Sequence, residues 1–155
     1  MTNPQHPAES TDYRKTIEIQ GPPEALFEAL TTTTGLSAWW AAATGSALTG
    51  GGITFFFPDP LVMHVDRADA AAVEWTVVSY DVLPEWPGTR PTFAIRPTDG
   101  GSEVQFCHHG LTADLECREM CSRGWDHFLD SLRQYVETGK GAPLGSATDQ
   151  SRRTE

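Results

Sequence analysis

Positive charge is what this sequence has least of. Eleven Lys and Arg stand against twenty-one Asp and Glu, a formal charge of −10. The chain as a whole repels phosphate backbones and anionic headgroups, so no nucleic-acid partner is expected. Long apolar runs are also missing. No stretch approaches the roughly 20 residues that cross a bilayer, and the opening MTNPQHPAESTDYRK has no apolar core of the kind a secretory signal carries. A cytoplasmic location without a membrane span is the expectation. Cysteine is scarce and odd in number, Cys107, Cys117 and Cys121, which argues for reduced thiols rather than a disulfide framework. Chemical signatures are missing too: there is no GxSxG, no HExxH and no arguable carboxylate pair. GSALTGGG places Gly51 and Gly52 where a phosphate loop needs Lys and then Ser or Thr. It reads as a turn or bulge between strands, and no cofactor is implied.

What is present is enough for one core. With 155 residues, 39% of them apolar, the chain makes a single domain. Residues 1–12 are polar and 144–155 have almost nothing to bury, so both are expected to be disordered tails around a domain at 13–143. YRKTIEIQ alternates Tyr13, Ile17 and Ile19 on one face, interrupted at Lys15. GPPEALFEAL then opens a short helix with proline in its first turn, and TTTTG separates it from a second apolar segment, LSAWWA. Further strands follow by alternation: ITFFF, LVMHVDR, AVEWTVVSY, TFAIRP and SEVQFCHHG, the last two joined by the hairpin signal TDGGS.

The final helix is predicted from a cap at Thr112 or Asp114 to a stop at Gly139. Cys121, Trp125, Phe128, Leu129, Leu132, Tyr135 and Val136 recur at steps of three and four, with Asp126, Asp130, Arg133 and Glu137 largely opposite. Such a helix lies across something flat and apolar, and the strands supply it.

That order, with PPEALFEALTTTTGLSAWW (22–40), HHGL (108–111) and GWDHFLDSLRQYVETGKGAP (124–143), resembles the START-like helix-grip (SRPBCC) superfamily. Within it the sequence is most similar to the branch named for the activator of heat-shock protein 90 ATPase. The Gly-Trp pair, Ser131-Leu132 and Gly139 to Pro143 carry the match. The resemblance implies an α+β helix-grip fold: a curved antiparallel sheet of about seven strands, two short helices, and a long C-terminal helix packed across it. It also implies a cavity between sheet and helix that in many relatives holds an apolar small molecule. The superfamily includes lipid carriers, hormone receptors and aromatic polyketide cyclases, so fold alone does not assign function.

By alternation the inner sheet face offers Phe55, Phe57, Met63, Val65, Trp75, Phe93 and Phe106 to Trp125, Phe128, Leu129 and Leu132 of the helix. An apolar lining with a few polar groups suits a small-molecule site; the competing reading is an ordinary filled core. Trp39 and Trp40 are adjacent, so a helix directs them about 100° apart. One is expected in the core, the other at the cavity mouth or facing a partner, and Trp39 joins the ligand-binding set. His108 shares parity with Phe106 and points inward, as a structural histidine or as a donor, acid or base. Arg67, in step with Met63 and Val65, either anchors a carboxylate or ends a solvated strand. Gly124 costs a helix about 1 kcal/mol relative to Ala, and the expected reason is close approach to the sheet or a bend. The cysteines stand near His108 and His109, yet no CxxC exists and the two histidines face opposite sides of a strand, so no metal is expected.

Three functional readings stay open. The first is a non-catalytic protein that binds an apolar small molecule, a lipid or aromatic metabolite. The second is an interaction module, a chaperone regulator or homodimer, that uses the acidic exterior and an exposed tryptophan. The third is a cyclase- or hydrolase-type enzyme with His108 as acid or base.

Overall fold

The computed structural model describes residues 12–57, 59–111 and 118–144. The expected cap at Thr112 or Asp114, Cys117, the side chain of Phe57 and nearly all of both tails lie outside them. The elements in order are β1 (Tyr13–Ile19), α1 (Pro23–Thr31), α2 (Thr33–Trp39), β2 (Ala43–Gly45), β3 (Gly52–Phe57), β4 (Asp59–Asp69), β5 (Ala72–Ser79), β6 (Arg90–Thr98), β7 (Gly101–His109) and α3 (Arg118–Thr138). The fold is the α+β helix grip. Its sheet has seven strands in the order β1-β7-β6-β5-β4-β3-β2, every pair antiparallel, so β2 to β7 form a meander and β1 is added beside β7. The short strand β2 is an element that alternation is too brief to reveal.

The hairpin signal TDGGS forms the β6–β7 turn: Thr98 pairs with Gly101, and Gly100 supplies the φ of 88°. Pro23 opens α1, and Thr32 caps α2 by accepting from the Gly35 N–H at 3.0 Å. Gly35 has a steric reason to be glycine, because a Cβ there would lie 2.8 Å from the Cα of Ala29 on the neighbouring helix. The interruption at Lys15 is also resolved. Its ammonium reaches the Asp126 carboxylate of α3 at 3.2 Å, and the Tyr13 hydroxyl donates to the same carboxylate.

The helix α3 stops where Gly139 takes a φ of 85° and donates to the Tyr135 carbonyl. The chain then folds back over its own helix. The Ser131 hydroxyl donates to the Trp39 carbonyl at 2.8 Å and accepts from the Ala142 N–H at 2.6 Å, and the Leu144 N–H donates to the Trp40 carbonyl. Ser131 and the stretch from Gly139 to Pro143 therefore act together: they tie the end of α3 to the end of α2.

The inner sheet face is apolar as alternation predicts, with Ile53, Phe55, Met63, Val65, Trp75, Val77, Phe93, Ile95, Val104 and Phe106 buried. The alternation fails at Arg67. A bulge between Val65 and Arg67 pairs Val65 with Trp75 but Arg67 with Glu74, which turns Arg67 outward.

Candidate functional site

Under the middle of α3 the sheet and helix are filled by rings. Trp40 lies 4.4 Å from Phe55, 5.0 Å from Trp125 and 5.8 Å from Trp75, while Phe106 sits 4.4 Å from Trp125. Trp39, Met63, Val65, Phe93, Leu129 and Leu132 are fully buried in the same interior. Both tryptophans of the adjacent pair are buried, so neither is exposed to face a partner, and Trp40 instead stands at the wall of a cavity. The chain leaves helical geometry at Trp40 (φ −116°, ψ −81°), so the 100° rule for neighbouring helical residues no longer applies, and the rings stack 5.7 Å apart at 11°. Within this stack the indole N–H of Trp75 is fully buried and has no hydrogen-bond partner.

Toward the N-terminal end of α3 the packing opens into an apolar cavity of about 220 Å³. It is walled by Trp40 and Leu61, by Tyr80, Leu83 and Trp86 of the segment after β5, and by Met120, Cys121, Gly124, Trp125 and Phe128 of α3. Trp125 and Phe128 are the two expected lining residues found here. Trp39, Phe55, Met63, Val65, Trp75, Phe93, Phe106, Leu129 and Leu132 lie in the packed interior rather than at this wall.

Of the two reasons expected for Gly124, close approach to the sheet is contradicted. A Cβ there would meet nothing within 4 Å, so neither close approach to the sheet nor crowding requires the glycine. Its missing side chain leaves cavity in its place. The segment LPEWPGTRP is an element that sequence reasoning missed, although a signal existed: a tryptophan in a Pro-rich loop has to be buried somewhere. Trp86 is buried, donates its indole N–H to Cys121 Sγ at 3.3 Å, and packs against Tyr80. Burial and the nearby Asp59 charge push the Tyr80 phenol above its ordinary pKa, so it stays a neutral hydroxyl at the cavity wall.

His108 points inward as parity requires, and it is fully buried behind Trp125 and Trp86. The Thr89 hydroxyl donates to the Trp86 carbonyl at 2.6 Å, so its oxygen accepts from the His108 Nε2–H at 2.8 Å. The Trp125 indole N–H donates to His108 Nδ1 at 2.9 Å. One neutral tautomer is thereby fixed, because a proton on Nδ1 would face another donor. Burial, with a smaller push from His109, drives the pKa of His108 down to about 3. Both ring nitrogens are engaged inside the protein, and His108 orients Trp125 at the cavity wall.

Arg67 is half-exposed and pairs with Asp69 at 2.6 Å, and Glu74 lies 3.9 Å away. It lies away from the cavity wall. Cys121 lines the cavity on the inner side of the sheet, whereas Cys107 alternates with His108 and belongs to the outer side. The two thiols are separated by the sheet and do not share a site.

Comparison with known proteins agrees with this architecture. The family described as activator of Hsp90 ATPase homolog 1-like protein matches residues 20–137. The chain belongs to that family. Among solved structures it is similar to the Aha1 dimer from Colwellia psychrerythraea, with 28% identity and a TM-score of 0.74, covering 84% of this chain and 98% of that one. A Bacillus halodurans protein shares 24% identity over 81% of this chain and 96% of its own, with a TM-score of 0.68. A putative protein of the dynemicin biosynthetic locus, DynU16, shares 17% identity and a TM-score of 0.70 over 84% of this chain and 49% of its own. The last two likenesses concern the fold alone. No curated protein matches the sequence. No helix among the described residues is long and apolar enough to cross a membrane.

Proposed function

We propose that this family member binds an apolar small molecule in the cavity between the N-terminal half of α3, β4 and the segment after β5. The observation that carries the reading is Gly124, a mid-helix glycine that faces open space in an apolar wall rather than a crowded neighbour. Glycine in a helix interior is unfavourable by about 1 kcal/mol relative to Ala, and here packing offers no compensating reason. The cavity volume of about 220 Å³ lies below the roughly 300 Å³ at which drug-sized sites begin. The ligand class is therefore a small aromatic compound or a short acyl chain, with the Tyr80 hydroxyl as a polar contact. His108 has neither ring nitrogen free for proton transfer, so the role is binding rather than acid or base catalysis.

Native mass spectrometry and thermal melting against a panel of fatty acids and aromatic compounds test this. A ligand present at one hundred times its Kd adds about 2.7 kcal/mol of stability, which a melting curve resolves. Gly124→Leu should keep the fold and lose the ligand-induced shift. Absence of any adduct together with unmoved melting across the panel would remove the proposal.

A second reading, self-association or protein binding, is favoured by the likeness to the Aha1 dimer. Burial of both Trp39 and Trp40 takes away the exposed aromatic it relied on, while the acidic exterior remains. Molar mass by light scattering tests the dimer. Chaperone ATP turnover with added protein tests regulation, and a rate unchanged over a wide concentration range would dispose of it.

A further inference from the structure

On the outer face of the sheet, opposite α3, three chemically different ligand atoms converge. A carboxylate oxygen of Asp12, the Sγ of Cys107 and a ring nitrogen of His109 all lie within 4.8 Å of one another. Cys107 and His109 alternate on β7, and Asp12 immediately precedes β1, whose Tyr13 pairs with His108. The β1–β7 register thus brings the aspartate beside the other two. We propose that Asp12, Cys107 and His109 form a binding site for a thiophilic divalent cation such as zinc, with solvent completing the coordination.

The hydrogen bonds around the cluster orient it for this role. The Thr92 hydroxyl lies 3.4 Å from the Cys107 carbonyl and 3.2 Å from His109 Nε2, and the second contact holds the imidazole in place with either tautomer. The other ring nitrogen, Nδ1, faces Asp12 Oδ2 at 3.9 Å. The other oxygen, Oδ1, is held by the Gly110 N–H at 3.1 Å. An outer partner on the second ring nitrogen is the usual companion of a metal-bound histidine, and Thr92 stands in that place. Metal-to-ligand distances of about 2.0–2.3 Å place tetrahedral ligand atoms about 3.3–3.8 Å apart. The Nδ1 to Oδ2 spacing of 3.9 Å stands slightly above this range, so small side-chain rotations are needed to bring the ligand atoms onto one ion.

Sulfur, nitrogen and oxygen together select zinc-like ions over calcium or magnesium, which take oxygen alone. Arg14 lies 3.9 Å from Asp12 Oδ2, the oxygen offered to the metal, so the ion would take the place of that half-exposed partner, while Arg90 is drawn to Glu74 at 3.4 Å. A thiolate and a carboxylate supply the two negative charges that match a dication. The bound ion would clip the start of β1 to β7 on the face away from the cavity. It acts independently of any ligand there.

Cobalt(II) titrated into the metal-free, reduced protein is the test. The expected result is a thiolate-to-cobalt charge-transfer band with intense visible bands, saturating at equimolar metal and displaced by zinc. Cys107→Ser should abolish the charge-transfer band, and His109→Gln and Asp12→Asn should each weaken affinity by about tenfold or more. Because Cys107 is buried, its variant is checked for folding by circular dichroism. His109→Gln, at a partly exposed position, carries the test if Cys107→Ser does not fold. A wild-type protein with no charge-transfer band, a band retained in folded Cys107→Ser, or an affinity unmoved in His109→Gln would overturn the proposal.

Discussion

The two halves of the α3 interface face the same sheet and do opposite things. Toward its C-terminal half, Leu129 and Leu132 are fully buried in the packed core, and Ser131 ties the helix to the end of α2. Toward its N-terminal half, Cys121, Gly124, Trp125 and Phe128 face an opening. The sequence pattern is continuous along both, so an apolar stripe reports that a helix covers something and not whether the covered space is full. The open half sets Cys121 and Gly124 between its large side chains, where the closed half has Leu129 and Leu132. Trp125 stands at the boundary, with one side against Phe106 and the other at the cavity.

Breaking that boundary should give the largest effect. Trp125→Ala should lower unfolding free energy by about 3–5 kcal/mol in urea titration, whereas Trp125→Phe, which keeps the ring but removes the donor to His108, should lower it by about 1–3 kcal/mol. An unchanged midpoint in Trp125→Ala would show that the rings do not support one another. The His108 junction gives the next effect, through pH. Its folded pKa is held near 3 while the unfolded chain titrates near the ordinary 6.5. Between those values the unfolded state binds a proton that the folded state refuses, so stability is lost as pH falls through this window. The slope from this group is at most about 1.4 kcal/mol per pH unit. His108→Gln should flatten that part of the stability profile, and an identical profile in wild type and variant would contradict the buried neutral imidazole.

Filling the open end should be smaller and of opposite sign. Gly124→Ala should raise stability by about 1 kcal/mol while weakening binding of any ligand found by mass spectrometry, and a destabilised Gly124→Ala would mean that the wall is crowded after all. The smallest effect is expected at Arg67. Its charge is exposed and paired with Asp69 and Glu74, so Arg67→Ala should leave both melting and ligand affinity unchanged, and lost affinity would bring the arginine back into the site.

Much of the fold was legible because its signals are local. Period-two runs mark the long strands, Pro23 and Gly139 bound two helices, and TDGGS turns a hairpin. The site was less legible. Bulging at Asp66 reversed the parity of Arg67, which no alternation count detects. Loss of helical geometry at Trp40 buried a ring that helical spacing would expose. Residues after β5 entered the wall only because the segment folds back, so Leu83 and Trp86 carry no periodic signal. His108 shows both sides: parity pointed it inward, but only the positions of Thr89 and Trp125 made it a fixed neutral group.

By itself the sequence determined the class of architecture, a sheet apolar on one face and a helix with one apolar stripe, and the formal charge of −10. These follow from periodicity and composition, which act along the chain. The tertiary structure decided where the interior is filled and where it is open, and which nitrogen of His108 carries its proton. It also brought Asp12 beside Cys107 and His109. Each of those depends on side chains far apart in sequence meeting within a few ångströms, and only the folded register sets that distance.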